Sequence, residues 1–162
     1  MASFNDLENE IKSIANAFTS INYYNYGERS SINYADRTKN YPALLFDSKN
    51  VTFEVTRLSR NHLAIETDYS CVLYIMDDFN KSEQSTKTVS EKESEVKIIS
   101  DQFWAEFMSR TVSTQRGLML ISSSGQNGVI KDDQHNNRVI EIQYNFVVRV
   151  TDTSCTLGTF NY

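Results

Sequence analysis

The sequence predicts an α+β domain in which an antiparallel sheet carries two helices packed on one face. Two segments, residues 4–21 and 90–110, repeat apolar side chains at spacings of three and four, the period of an amphipathic helix. Other long segments alternate apolar and polar side chains, as a strand with one buried face does. Polar turn-forming runs connect most of these strands, which favours antiparallel pairing.

The N-terminal helix comes first and presents one apolar stripe. Ser3 is placed to cap its first turn, and Asp6 favours the positive end of the helix. The polar segment 22–40 follows, in which we predict a short strand at Tyr23–Tyr26 and an exposed loop at Arg29–Lys39. The stripe of the helix consists of Phe4, Leu7, Ile11, Ile14, Phe18 and Ile21.

The only proline of the chain, Pro42, marks the start of the main sheet. It biases Tyr41 toward an extended backbone, so a short buried strand is predicted at Ala43–Asp47. A separate strand follows at Val51–Val55, with its apolar side chains on a buried face. Residues 59–62 have the composition of a turn.

The next predicted strand, Leu63–Met76, is long and changes character along its length. One face carries Leu63, Ile65, Tyr69, Cys71, Leu73 and Ile75. The other begins polar and turns apolar at its end, so that end needs a second cover, which another subunit or a loop of the same chain would supply. The late apolar residues on this face are Val72, Tyr74 and Met76.

Residues 77–95 carry many charges and are predicted as a solvated, mobile loop, with an ordered partner contact as the alternative. The second helix follows at about residues 90–110. Ser90 and Glu93 have the spacing of a capping box at its start. Its apolar stripe is Val96, Ile99, Phe103 and Phe107, widened by Trp104 and Met108.

The last third of the chain is predicted to add two strands. A short one at Leu118–Ser122 is followed by a turn at residues 123–128 and a polar loop at 132–137. A long strand at Ile140–Val150 then has one apolar and one polar face. Residues 152–162 form a polar tail, and the whole chain, 1–162, is predicted to be a single domain.

Composition excludes several classes of protein. Hydrophobic content of 40% and charged content of 23% indicate a soluble globular chain. The net charge of -5 argues against electrostatic capture of nucleic acid, which needs clustered Lys and Arg. Cys71 and Cys155 are predicted to be reduced thiols. We expect neither a signal peptide nor a membrane-spanning segment.

Few residues suggest chemistry, so we predict no catalytic residue, metal ligand or cofactor. His62 lies in a predicted turn without a nucleophile nearby. The Asp132, Asp133 and His135 cluster leaves a small hydrolase as one alternative. The other alternative is a monomeric ligand-binding or regulatory module whose loops at 22–40 and 123–138 line a pocket, with Tyr23, Tyr24, Tyr26 and His135.

An ordered set of segments covering most of the chain resembles the tail terminator, or tail-completion, proteins of tailed bacteriophages. The likeness is to their divergent forms in phages of Bacteroidetes-type hosts. The segments are the stripe from Phe4 to Ile21, Tyr26-Gly27, Tyr41-Pro42-Ala43-Leu44, the strands carrying Phe53 and Leu73–Asp77, Ile99–Phe103, and the Ile140–Val150 strand followed by Cys155.

The resemblance implies a structural virion protein, made in the bacterial host cytoplasm, that forms a ring at the head–tail junction. Six or twelve copies would form the ring, and neck, connector or tail-tube proteins would be its neighbours. DNA would pass through the ring without specific binding, and no membrane would be involved. The charged segment Lys81–Glu95 is longer than the family pattern, so a neck ring of a short-tailed phage stands beside the terminator of a long tail.

A ring needs contacts between its subunits and a wall facing its channel, and the sequence suggests residues for both. The predicted subunit contacts are Val72, Tyr74, Met76, Asp77, Asp78, Phe79, Phe160 and Tyr162. The predicted channel-facing residues, on the polar face of the last strand, are Glu141, Gln143, Asn145 and Arg149.

Overall fold

The computed structural model describes residues 3–27, 41–57, 62–111, 118–132 and 137–156. They form a mixed α/β arrangement of one five-stranded sheet and three helices, which confirms the predicted mixture of helix and sheet. The elements are α1 (Phe4–Ala17), β1 (Tyr23–Tyr26), β2 (Ala43–Arg57), β3 (His62–Phe79), α2 (Lys81–Gln84), α3 (Val89–Thr111), β4 (Leu118–Asp132) and β5 (Asn137–Thr156).

The sheet has the strand order β1-β2-β3-β5-β4. All pairings between β2, β3, β5 and β4 are antiparallel, as predicted. The short strand β1 is the exception, because it pairs in parallel with the first residues of β2, Tyr23 opposite Ala43 and Tyr26 opposite Phe46. The sheet is therefore mostly, and not wholly, antiparallel.

The start of α1 is fixed by the predicted cap. The backbone N–H of Asp6 donates to the Ser3 hydroxyl oxygen at 3.3 Å, and the Ser3 N–H donates to the Asp6 carboxylate at 2.6 Å. This reciprocal capping box satisfies amide groups that the first turn leaves without helical partners. The helix ends at Ala17, four residues before its predicted end, although Ile21 beyond it is still buried.

One face of the sheet, called here the helix-covered face, packs against α1 and α3. Trp104 of α3 stacks on Tyr144 of β5 with ring centroids 4.8 Å apart. On the neighbouring strand β4, a side chain in place of Gly125 would meet the Tyr144 ring at 3.1 Å, so a residue without Cβ suits this position. The largest side chains of this core include Phe46, Phe79, Phe103, Phe107, Leu7, Ile11, Ile14, Leu44, Leu73 and Ile75.

Two predicted breaks in the strands are wrong. The segments predicted as separate strands at Ala43–Asp47 and Val51–Val55 are one strand, β2, with a register shift between Ser48 and Asn50. The turn predicted at residues 123–128 lies inside β4. Strand β5 supplies a long partner to β4 through this segment, so backbone pairing overrides the turn composition of its serines and glycines.

The charged segment 77–95 is not a loop, in contrast to the prediction. It comprises the end of β3, the short helix α2 and the first turns of α3. The cap of α3 is formed by Thr88 and Glu91, not by Ser90 and Glu93: the N–H of Thr88 donates to the Glu91 carboxylate at 2.7 Å, and the N–H of Glu91 donates to the Thr88 hydroxyl at 3.2 Å.

Some predictions fall outside the described residues, among them the Arg29–Lys39 loop, most of the turn at residues 59–62 and the last six residues of the predicted tail. The same holds for Asp133 and His135 of the suggested hydrolase cluster. Among the helices that the structure describes, none is long and apolar enough to cross a membrane.

Candidate assembly surface

The second face of the sheet, called here the opposite face, carries three of the residues predicted to contact other subunits. Val72, Tyr74 and Met76 are already buried in the single chain, with exposed fractions of 6%, 5% and 2%. They pack with Ala43, Leu45 and Val139 in a second apolar cluster. A neighbouring subunit therefore does not meet them as an exposed patch, and their part in a subunit contact stays a prediction.

The other predicted contact residues of β3 also have partners within the chain. Phe79 is buried in the core of the helix-covered face, in the same apolar cluster as Val96 and Phe103 of α3. Asp77 lies beside Lys92 of α3, with 2.6 Å between the Lys92 Nζ and an Asp77 carboxylate oxygen. Asp78 is partly buried, and Phe160 and Tyr162 lie outside the described residues.

Lys92 is the centre of a buried ion cluster. Its side chain is 5% exposed and also reaches the Glu83 carboxylate of α2 at 3.2 Å. Burial is the main cause that raises the pKa of Asp77 above its ordinary value, and the ammonium of Lys92 opposes that rise. This cluster ties β3, α2 and α3 together.

The predicted channel-facing residues do lie on one face, the opposite face, but they differ in exposure. Glu141 is only 3% exposed, because it sits opposite Met76 beside the second apolar cluster, so it does not line a surface of the single chain. Gln143, Asn145 and Arg149 are partly exposed. The amide of Gln143 donates to the Asn145 side-chain oxygen at 2.9 Å.

Arg149 lies in a cluster of carboxylates on the opposite face. Its guanidinium donates to both oxygens of Asp68, at 2.7 and 2.9 Å, and to Glu66 at 3.1 Å. Glu54 of β2 stands directly across from Glu66 and adds a third carboxylate to the group. Three carboxylates surround one guanidinium, so this part of the face carries excess negative charge.

We expect Arg149→Gln to destabilise the protein at neutral pH and to do so less in acid. The hydrogen bond from Arg149 holds the pKa of Asp68 below its ordinary value of 3.8. A carboxyl with a lowered folded pKa stabilises the fold above its unfolded pKa, and that contribution is lost as the pH falls through the folded pKa. Urea unfolding of both proteins between pH 7 and pH 3 measures this, with Arg149→Lys as a charge-preserving control. A destabilisation independent of pH would contradict the assignment.

The most exposed apolar side chains of the described sheet lie on β2, in what we call the β2 stripe: Val51, Phe53 and Val55. Their exposed fractions are 54%, 74% and 50%. All three were predicted to be buried, and that prediction is wrong. Within the described residues, β1 pairs only with Ala43–Phe46, so this later part of β2 is an outer edge of the sheet.

The β2 stripe is exposed because the strands are longer than the helices. Strand β3 has 18 residues, about 60 Å at ~3.3 Å per residue. Helix α3 has 23 residues, about 35 Å at ~1.5 Å per residue. The stripe lies on the same side of the sheet as the helices but beyond their reach. The alternation of β2 indicated correctly which side of the sheet these side chains are on. That the sheet extends past the helices follows only from the full lengths of the strands, which the sequence pattern divided into shorter pieces.

Little in the described residues suggests catalysis. No group of three or more His, Cys, Asp or Glu side chains there is close enough to hold a metal ion. Burial raises the pKa of the Cys71 thiol to about 12, so it is not a reactive thiolate at neutral pH. Tyr23, Tyr24 and Tyr26, suggested for a pocket, lie in β1.

A depression of about 410 Å³ lies elsewhere, on the opposite face between β2 and β4. Its polar lining comes from one amine, an amide and several hydroxyls. The ammonium of Lys49 already pairs with the carboxylate of Asp47. The residues lining the depression include Lys49, Ser70, Ser122, Ser124 and Asn145.

Comparison with known proteins gives no relative on which to base a function: no protein-family model and no curated protein matches the chain.

Proposed function

We propose that this protein is a structural virion protein of a tailed bacteriophage that forms a ring at the head–tail junction, as a tail terminator, tail-completion or neck-ring protein. The observation that carries the proposal is the β2 stripe, with Phe53 74% exposed on an outer strand. Apolar side chains on an outer strand favour association with another chain, which natural sheets otherwise avoid with charges or short edges.

The charge of the opposite face suits the wall of a channel for DNA. Glu54, Glu66 and Asp68 outnumber the one cation among them, Arg149. The net charge of the whole chain is -5. Repeated around a ring, such a face repels phosphates and does not grip them, so DNA passes without being bound.

The order of elements along the chain also supports the proposal. The segments that resemble tail terminator proteins fall in α1, in the strands β1, β2 and β3, in the long helix α3 and in β5, with the short helix α2 and the strand β4 between them. The described residues offer an association surface and little that resembles a reaction centre. A role in assembly would make use of this association surface.

Purified virus particles provide the test of whether the protein is located at the head–tail junction. Virus particles purified from a lysate of the bacterium that makes the protein are expected to contain it in several copies, as measured by quantitative mass spectrometry. An affinity label on the protein should appear at the head–tail junction in negative-stain images. Absence of the protein from purified particles, or a label on the capsid surface or tail tip, would refute the proposal.

Changing Phe53→Asp is expected to abolish self-association and leave the fold intact. The side chain is 74% exposed, so the charge is hydrated in the monomer but would be buried in a contact. The matched control is Ile98→Asp, an apolar position on α3 that is also more than half exposed (58%). Sedimentation velocity should show loss of multimers for Phe53→Asp alone, with unchanged circular dichroism. Equal behaviour of the two variants would exclude the β2 stripe as the contact.

A further inference from the structure

We propose that the outer edge of β2 pairs with the outer edge of β4 of a second copy, so that one antiparallel sheet continues from copy to copy. The segments concerned are Asp47–Phe53 of one copy and Leu118–Ser124 of the next. This inference rests on the proposed function, since it names the contact through which the ring forms.

Both edges are available in the described part of the chain. Strand β4 is the last strand of the sheet on its side. On the other side, β1 covers β2 only as far as Phe46. Each edge also carries exposed apolar side chains: the β2 stripe on one, and Met119 and Ile121 on the other, exposed by 47% and 44%. Five of the seven large exposed apolar side chains of the described residues therefore lie on these two strands.

The two edges match in height. Following the pairing across the sheet, Val51 lies in line with Tyr69, Val148 and Leu120. In the same way, Phe53 lies in line with Thr67, Val150 and Leu118. Val51 and Phe53 thus lie at the level of the first residues of β4, whereas Val55, in line with Asp152, lies beyond them.

The register shifts of the two outer strands lie on the two sides of one line across the sheet. That of β2 falls between Ser48 and Asn50, and that of β4 between Leu120 and Ser122. Asn50 and Ser122 are in line through Ser70 and Val147. A strand pair formed between copies at equal height would therefore have the same register before and after this line.

Direction and side-chain pattern match as well. In the order β2-β3-β5-β4, three successive antiparallel pairings leave β2 and β4 antiparallel to each other. A second copy rotated about an axis parallel to the strands would bring its β4 beside β2 in antiparallel pairing. On the helix-covered side, Val51 and Phe53 would meet Leu120 and Leu118. On the opposite face, Thr52 would meet Met119.

The equal height of the two edges favours a ring over a helical filament. A contact between two different edges repeats from copy to copy, giving a ring if the rotation closes and a filament if each copy also rises. Edges at the same level require no rise along the strands, so the geometry points to a ring.

Cysteine pairs test the register. The pair Thr52→Cys and Met119→Cys would lie directly opposite each other, with Cα atoms about 4.5–5.5 Å apart, within the range of a disulfide. In the control pair, Thr52→Cys and Ser124→Cys, the second position lies on the same face but about 14 Å along the strand. Every variant carries Cys155→Ser, and the remaining thiol, Cys71, is buried.

Under mild oxidation, the chain carrying both Thr52→Cys and Met119→Cys should give a ladder of disulfide-linked multimers that a reductant collapses. A mixture of the two single variants should give dimers only, and each single variant alone should stay monomeric in denaturing gels. The control pair should link at least tenfold less.

Three results would overturn the inference: linkage of Thr52→Cys to itself, equal linkage by the control pair, or no linkage by the folded double variant at high protein concentration. These three results bear on the edge contact alone, and they can be distinguished from a failure of the proposed function. A ladder formed by a protein that is absent from virus particles would retain the edge contact and refute the phage role.

Discussion

Replacing Lys92 with Met is expected to lower the free energy of unfolding by about 3 kcal/mol, because it leaves the Asp77 carboxylate, only 16% exposed, without its cation. Lys92 is 4% exposed and lies 2.6 Å from the Asp77 carboxylate and 3.2 Å from that of Glu83. Urea unfolding followed by circular dichroism measures the loss, since the midpoint shifts while the slope stays the same.

Two further variants separate burial from charge. Lys97→Met removes an exposed ion pair with Asp101, 48% and 57% exposed, and should cost no more than about 0.5 kcal/mol. The double variant Lys92→Met with Asp77→Leu removes both main charges and should recover most of the loss. If Lys92→Met and Lys97→Met cost the same, the buried ion cluster does not stabilise the fold.

The cost of Lys92→Met should also depend on pH. Burial raises the pKa of Asp77 in the folded protein, and removing the ammonium raises it further. A carboxyl whose folded pKa is raised destabilises the fold above its unfolded pKa, and protonation removes that penalty. The difference between wild type and variant should therefore shrink as the pH falls from 7 through the acid range.

Changing Phe46→Ala is the second change with a large expected effect, a loss of about 3–5 kcal/mol of unfolding free energy. Phe46 is fully buried, and its ring lies 6.0 Å from that of Phe4, 5.5 Å from Tyr26 and 6.3 Å from Phe146, measured between centroids. These contacts join α1, β1, β2 and β5, so the cavity opens where four elements meet.

The same strand supplies a matched control for this change. Phe53→Ala removes the same side chain from β2 but from a position that is 74% exposed, and should change stability by no more than about 0.5 kcal/mol. Thermal or urea unfolding at a concentration where the protein is monomeric compares the two. Equal losses would show that Phe53 is packed within the chain, which would remove the β2 stripe as an association surface.

The sequence was sufficient for the parts of the fold that depend on local patterns. The stripe of α1 as far as Ile14 and the alternation of Ile140–Val150 each follow from a single element's own period, and the helix and the strand both lie at these residues. The Ser3 cap also depends on residues within one turn. These features need no knowledge of what lies on either side of the element.

Other features depend on residues that are distant in the chain, and the predictions made from local patterns were wrong for them. The serine and glycine run around Gly125 has the composition of a turn but pairs with β5. Residues 77–95 look solvated, yet Lys92 is buried among carboxylates of β3 and α2. The exposure of Phe53 depends on where the helices end, which the alternation of β2 does not encode.

Native mass spectrometry of the full chain over a range of concentrations tests the central claim most directly, that copies join edge to edge into a closed ring. We expect monomer and one multimer of fixed copy number, with the multimer lost in Phe53→Asp and kept in Ile98→Asp. A wild-type protein that stays monomeric throughout, or one that forms an open series of ever larger multimers, would contradict it.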